Sequence, residues 1–141
     1  MYVYGNTAGS LIQTYDRLHP DDSGEVQRYF DSRTTVANVI ALKQLADDLK
    51  NIGVSMKKIS PIPPQLLSVH IALASSYIDM GEKLSLIPLA QSDDELIKAI
   101  NVYDDAVELY AKNYTALVFN FSDHKVTFSP DEPGSLFMFA Q

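Results

Sequence analysis

His70 invites a chemical reading more than any other residue. Of the three histidines, it is the one inside a long helical pattern, and it lies on that pattern's apolar stripe. An imidazole there would serve as a metal or small-molecule ligand, or as a general base. Otherwise it is a core histidine whose ring nitrogens are satisfied by tyrosines of a facing helix. Carboxylate metal sites in helical bundles need several facing ligands, and no Glu-x-x-His pair is present, so the core reading is the more economical one. His19 and His124 fall at predicted helix ends, where a contact with the helix dipole or with water accounts for each.

Asp104 and Glu108 lie one turn apart on one helical face, with Asp105 beside them. Carboxylates at that spacing can share a proton or hold a cation. Lys112, four residues beyond Glu108, makes an ordinary surface ion pair the simpler outcome, and Asp79, Glu82 and Lys83 read the same way. Tyrosine is the compositional oddity, with eight Tyr and no Trp. Tyr103, Tyr110 and Tyr114 share one stripe, which faces a core or, if only half covered, walls a binding groove. Near the C-terminus, Leu136, Phe137 and Phe139 form an apolar run able to cover the helices or a partner. Nucleophile elbow, phosphate loop, Gly-x-Gly-x-x-Gly, His-Glu-x-x-His and EF-hand patterns are all absent, and the six glycines form no cluster. The sequence assigns no catalytic residue, no metal and no cofactor.

Helices must position these side chains. A first is predicted over 7–18, capped by Asn6 or Thr7, with Leu11, Tyr15 and Leu18 on one face. A second starts after Ser23 and runs through Val39, Leu42 and Leu49 to about Ile52. Gly53 either stops it as a left-handed cap or lets it continue to Met56. The third begins at Pro64, a favoured first-turn residue, with His70, Leu73, Tyr77, Met80 and Leu84 at alternating spacings of four and three. Ser92 and Glu95 form a capping box that opens the fourth, whose seam runs from Leu96 to Phe121. Ser60-Pro61-Ile62-Pro63-Pro64 reads as a stiff loop that aims the third helix. Asn113-Tyr114-Thr115 and Asn120-Phe121-Ser122 match the glycosylation pattern, but seam residues occupy their middle positions. After about residue 122 the pattern changes: 125–128 alternates like a strand, followed by a turn at Pro130 to Gly134 and the apolar run, so that a small two-stranded ribbon is one form the tail can take.

At 141 residues and 46% hydrophobic, the chain is sized for one domain with a sizeable core. Eighteen acidic against eleven basic side chains give a net charge of -7, which disfavours nucleic acid and anionic lipid as partners. With no cysteine, disulfides and thiolate sites are excluded. No apolar stretch approaches the roughly 18 residues of a membrane span. The opening Met1-Tyr2-Val3-Tyr4-Gly5-Asn6 lacks the basic start of a signal peptide and suits a trimmed domain.

Tyr4-Gly5-Asn6-Thr7-Ala8-Gly9, Pro61-Ile62-Pro63-Pro64 with Leu67 and His70, and Pro133-Gly134 with Phe137 together resemble uncharacterised helical proteins of reduced-genome candidate-phyla bacteria. The resemblance covers most of the chain. It implies an extracytoplasmic domain that follows a membrane or signal segment, and it carries over no activity and no functional residue.

The expectation is therefore an all-α, up-and-down bundle of about four helices over 1–122, with a short irregular or β-hairpin tail over 123–141. Functionally, it is a non-enzymatic interaction or structural domain, a subunit of a cell-surface or secretion-related assembly, with a protein partner or a second copy meeting the tyrosine stripe or the tail. The alternative is a bundle that binds a small ligand or metal through His70 and the tyrosines.

Overall fold

A computed structural model describes residues 1–138 of the chain. Five α-helices follow in order: α1 (Tyr2–Leu18), α2 (Asp22–Asp31), α3 (Val36–Met56), α4 (Leu67–Leu84) and α5 (Asp93–Asp123), with short 3-10 turns at Pro64–Leu66, Ile87–Leu89 and Pro133–Phe137. The four long helices build the bundle, and α2 is a ten-residue piece packed on α3. No described residue is in a strand.

Helix directions follow from which residues meet. Gly53 of α3 lies against Ala74 and Ile78, whereas Gly81 of α4 lies against Ala46 and Lys50, so α3 and α4 are antiparallel. The Gly81 Cα faces the Ala46 carbonyl so closely that a Cβ would strike it. Tyr110 meets Tyr77 while Asn113 reaches Ala72 and Ser76, so α5 runs antiparallel to α4. α1 pairs Tyr4 with His70 and Phe121 at one end and brings Tyr15 to Tyr77 and Tyr103 at the other, alongside α4 and against α5. The result is the up-and-down bundle that short connections favour.

Local chemistry explains where the helices depart from the expected boundaries. Residues 32–35 split the second predicted helix into α2 and α3. There the Ser32 and Thr35 hydroxyls bond each other at 2.6 Å, and the Asn38 amide donates to the carbonyls of Arg28 and Ser32, giving the backbone an alternative to the helical ladder. Gly53 is not a left-handed cap: the described residues include no glycine of positive φ, and α3 continues to Met56. α1 begins at Tyr2 rather than Thr7, because Tyr4, Gly5 and Ala8 are buried and extend its packing face. Asn6, expected as a cap, instead accepts the Gly134 N–H at 2.9 Å and so ties the tail to α1. α5 opens at Ser92 as expected, with Ser92 accepting from the Glu95 N–H, but Glu95 reaches past Ser92 and accepts from the Gln91 N–H. It is 31 residues long, about 46 Å at the helical rise.

No ribbon forms over 125–128. Lys125, at φ 54°, turns the chain out of α5; Pro130 and Pro133 then offer no N–H to a ladder, and the chain lies along α1. Gly9 permits this, since a Cβ there would collide with the Pro133 backbone. Phe128 and Phe137 complete the core around Phe121, with ring centroids 5.4 and 5.3 Å from it. Among the described residues, no helix is long and apolar enough to cross a membrane.

Candidate functional site

His70 is buried at the tail-covered end of the bundle, 1% exposed. Its Nδ1 and the Tyr4 hydroxyl share a 2.8 Å hydrogen bond, and the two rings meet edge to face. The partner is thus a tyrosine of a facing helix, α1. Burial pushes His70 below its ordinary 6.5 and raises the Tyr4 hydroxyl, so both groups are neutral.

The α5 stripe divides between two environments. Tyr114 donates to the Leu136 carbonyl at 2.6 Å and packs on Phe137, so it clamps the tail. Phe137 is buried and Leu136 half-buried in that contact; Phe139 lies outside the described residues. Tyr103 and Tyr110 face the other end and help to wall a cleft of about 280 Å³ between α1, α2, α4 and α5, with α3 beneath. Its floor is Leu45, Leu49, Tyr77 and Met80, all buried. Tyr15, Tyr103 and Tyr110 form the walls, and Asp16, Asp22, Ser23 and Val107 are its exposed mouth.

Inside the cleft, the Tyr77 and Tyr110 hydroxyls share a 3.0 Å hydrogen bond, and their rings meet at 61° with centroids 4.8 Å apart. Floor and wall therefore adjoin at an angle instead of stacking flat. Tyr15 donates to the Asp22 carboxylate at 3.4 Å. Burial, with Asp22 and Asp104 nearby, pushes the Tyr103 phenol to about 12; burial raises Tyr15, Tyr77 and Tyr110 as well. The four phenols are neutral donors with π faces at neutral pH. Asp16 is held above the usual carboxylate range by partial burial and by the charge of Asp22.

His19 stands directly behind this cleft as the C-cap of α1, 7% exposed, its ring 5.2 Å from that of Tyr15. Its Nδ1 meets Glu25 of α2 at 3.1 Å and its Nε2 meets Asp48 of α3 at 3.0 Å. Burial lowers the pKa of this imidazole, but the hydrogen bonds and charges of Asp48 and Glu25 outweigh burial and raise it. Because the carboxylates occupy opposite ring nitrogens, they bind a proton on each rather than converge on an ion. No group of three His, Cys, Asp or Glu among the described residues is arranged to hold a metal.

The remaining sequence candidates fall on surfaces or in packing. Asp104, Asp105 and Glu108 are exposed, with Lys112 2.8 Å from Glu108, and Lys83 pairs with Asp79 at 3.6 Å. Asn113 donates to Ser76 at 2.7 Å, part-buried between α4 and α5. His124 bonds the Asn120 carbonyl at 2.8 Å.

Sequence reasoning placed Tyr15 and Tyr77 on their helical seams without joining them to the α5 stripe, and it read Asp22 and His19 as turn and helix-end residues. Recurrent tyrosines at seam positions of three helices were the available signal. The chain matches no protein-family model, no curated protein and no solved structure.

Proposed function

We propose that this protein is a non-catalytic helical domain that binds a small ligand in the tyrosine-lined cleft. One observation carries the reading: a concave, largely apolar cavity with a few polar groups converging at its mouth, which is the usual form of a small-molecule site. A volume of about 280 Å³ suits a compact head group rather than a large cofactor. The tyrosines contribute as the alternative sequence reading expects; His70, engaged with Tyr4 at the far end, does not enter the site.

A fragment library screened by amide NMR tests this. Saturable shifts should map to Tyr15, Ser23, Tyr103 and Val107 and vanish in Val107→Trp, which fills the mouth. Shifts elsewhere, or none, would refute the reading.

A second reading, an interaction module that docks on a protein partner or a second copy, rests on α5. Its outer side exposes Ile97, Leu109 and Phe119, each about half exposed or more at 56%, 49% and 52%, and large exposed apolar residues of this kind cluster at interfaces. Such a module would suit a subunit of an extracytoplasmic assembly. Concentration-dependent self-association that Leu109→Glu abolishes, seen by sedimentation, would support it; a strict monomer that captures no partner would remove it.

A further inference from the structure

The lining of the cleft has a definite electrostatic character. Among the described residues no Lys, Arg or His lines it, while two carboxylates, Asp16 and Asp22, stand at its mouth. Six of the eighteen acidic groups have cationic neighbours: Asp21 with Arg28, Asp47 with Lys50, Asp79 with Lys83, Glu108 with Lys112, and Glu25 and Asp48 with His19. Asp16 and Asp22 are among those with no ion pair in the described residues, and they are the two that stand at the cleft. Among the described residues, Asp22 accepts from Tyr15 and the Ser23 N–H. Behind them stand four tyrosine rings, two meeting at 61°.

We propose that the cleft recognises an organic ammonium cation, with its alkylated nitrogen held among the faces of Tyr15, Tyr77, Tyr103 and Tyr110 and its charge balanced by Asp16 and Asp22. This inference rests on the reading of the cleft as the ligand site. Aromatic rings present a negative face to a cation, and the attraction grows where water is excluded. Methyl groups on the nitrogen suit the apolar floor of Leu45, Leu49 and Met80 better than a hydrated metal ion would. An anion is repelled by two like charges, and a neutral ligand leaves the Asp16 and Asp22 repulsion unrelieved. Partial burial first, and then the charge of Asp22, raise the proton affinity of Asp16, and a bound cation lowers it.

Calorimetry and amide NMR on the full chain test the proposal with choline, tetramethylammonium and the neutral isostere 3,3-dimethylbutanol. Choline should bind with shifts at Tyr15, Asp16 and Tyr103, about 2- to 30-fold more tightly than the isostere. Asp16→Asn and Tyr103→Ala, each checked for an unchanged melting profile, should weaken choline binding several-fold, and the Asp16 carboxyl should titrate at lower pH in the complex. Equal binding of choline and the isostere overturns the cationic preference but leaves the cleft as a ligand site. Silence toward both cations, when other fragments still bind the cleft, overturns the ligand class alone. A cleft that no compound perturbs overturns both readings.

Discussion

The two ends of the bundle use the same residue types to opposite effect. At one end, Tyr4, His70, Phe121, Phe128 and Phe137 pack into a sealed aromatic cluster, and the tail from Ser129 to Met138 is laced over it by Asn6, Glu132 and Tyr114. Tyr2 adds its hydroxyl to Glu132. At the other end, Tyr15, Tyr77, Tyr103 and Tyr110 surround a cleft that no described segment closes. Each end has a buried histidine. His70, met by a single neutral phenol, is kept uncharged; His19, met by carboxylates on both nitrogens, is favoured as the cation. An aromatic helix face is therefore core or site according to what covers it, and a histidine is a neutral spacer or a charged clasp according to its partners.

The largest difference should appear on truncation. Phe121→Ala removes the fully buried hub of the sealed end and should cost about 3–5 kcal/mol of unfolding free energy in urea denaturation. Val107→Ala, at the mouth of the cleft, should cost less than about 1 kcal/mol. Comparable losses would show that the open end is as tightly packed as the closed one.

Gly9→Ala places a Cβ on the Pro133 backbone and should cost about 1–3 kcal/mol as the tail shifts away. Increased proteolytic cutting within 129–138 is the accompanying sign. Tyr4→Phe strips His70 of its hydrogen-bond partner in a dry core, for about 1–3 kcal/mol; Tyr110→Phe, beside an open cleft where water can replace the lost contact, should cost about 1 kcal/mol or less.

Acidity separates the two histidines most subtly. His19 binds its proton more tightly folded than unfolded, so its contribution is complete below about 6.5 and fades as pH rises through its raised folded value. His70 has the opposite sign: its contribution is complete above about 6.5 and is lost as pH falls toward its depressed value. Stability measured from pH 5 to 8 should fall on both sides of this crossing. His19→Gln should flatten the alkaline side and leave the acid side in place; an unchanged profile would show that His19 is not the clasp joining α1, α2 and α3.

The sequence by itself determined the helical bundle, the Ser92 cap, the helical entry at Pro64, a 3-10 turn leading into α4, and the seams of α4 and α5, because these depend on residues within one or two turns of each other. It also located Tyr103, Tyr110 and Tyr114. It read one continuous helix across Ser32, where short polar side chains compete with the helical ladder and break it, and it left open the course of the tail, which is set by Asn6 and Gly9 more than a hundred residues away. The cleft belongs to that second kind. Tyr15, Asp16 and Asp22 become its walls and mouth only because α1 runs alongside α4 and against α5 and α2 follows at its end, and Tyr114 leaves the set only because Leu136 and Phe137 reach it first. Helical periodicity specifies which face of each helix is apolar, but the pairing of faces is a long-range packing outcome, and that pairing separates a sealed core from an open site.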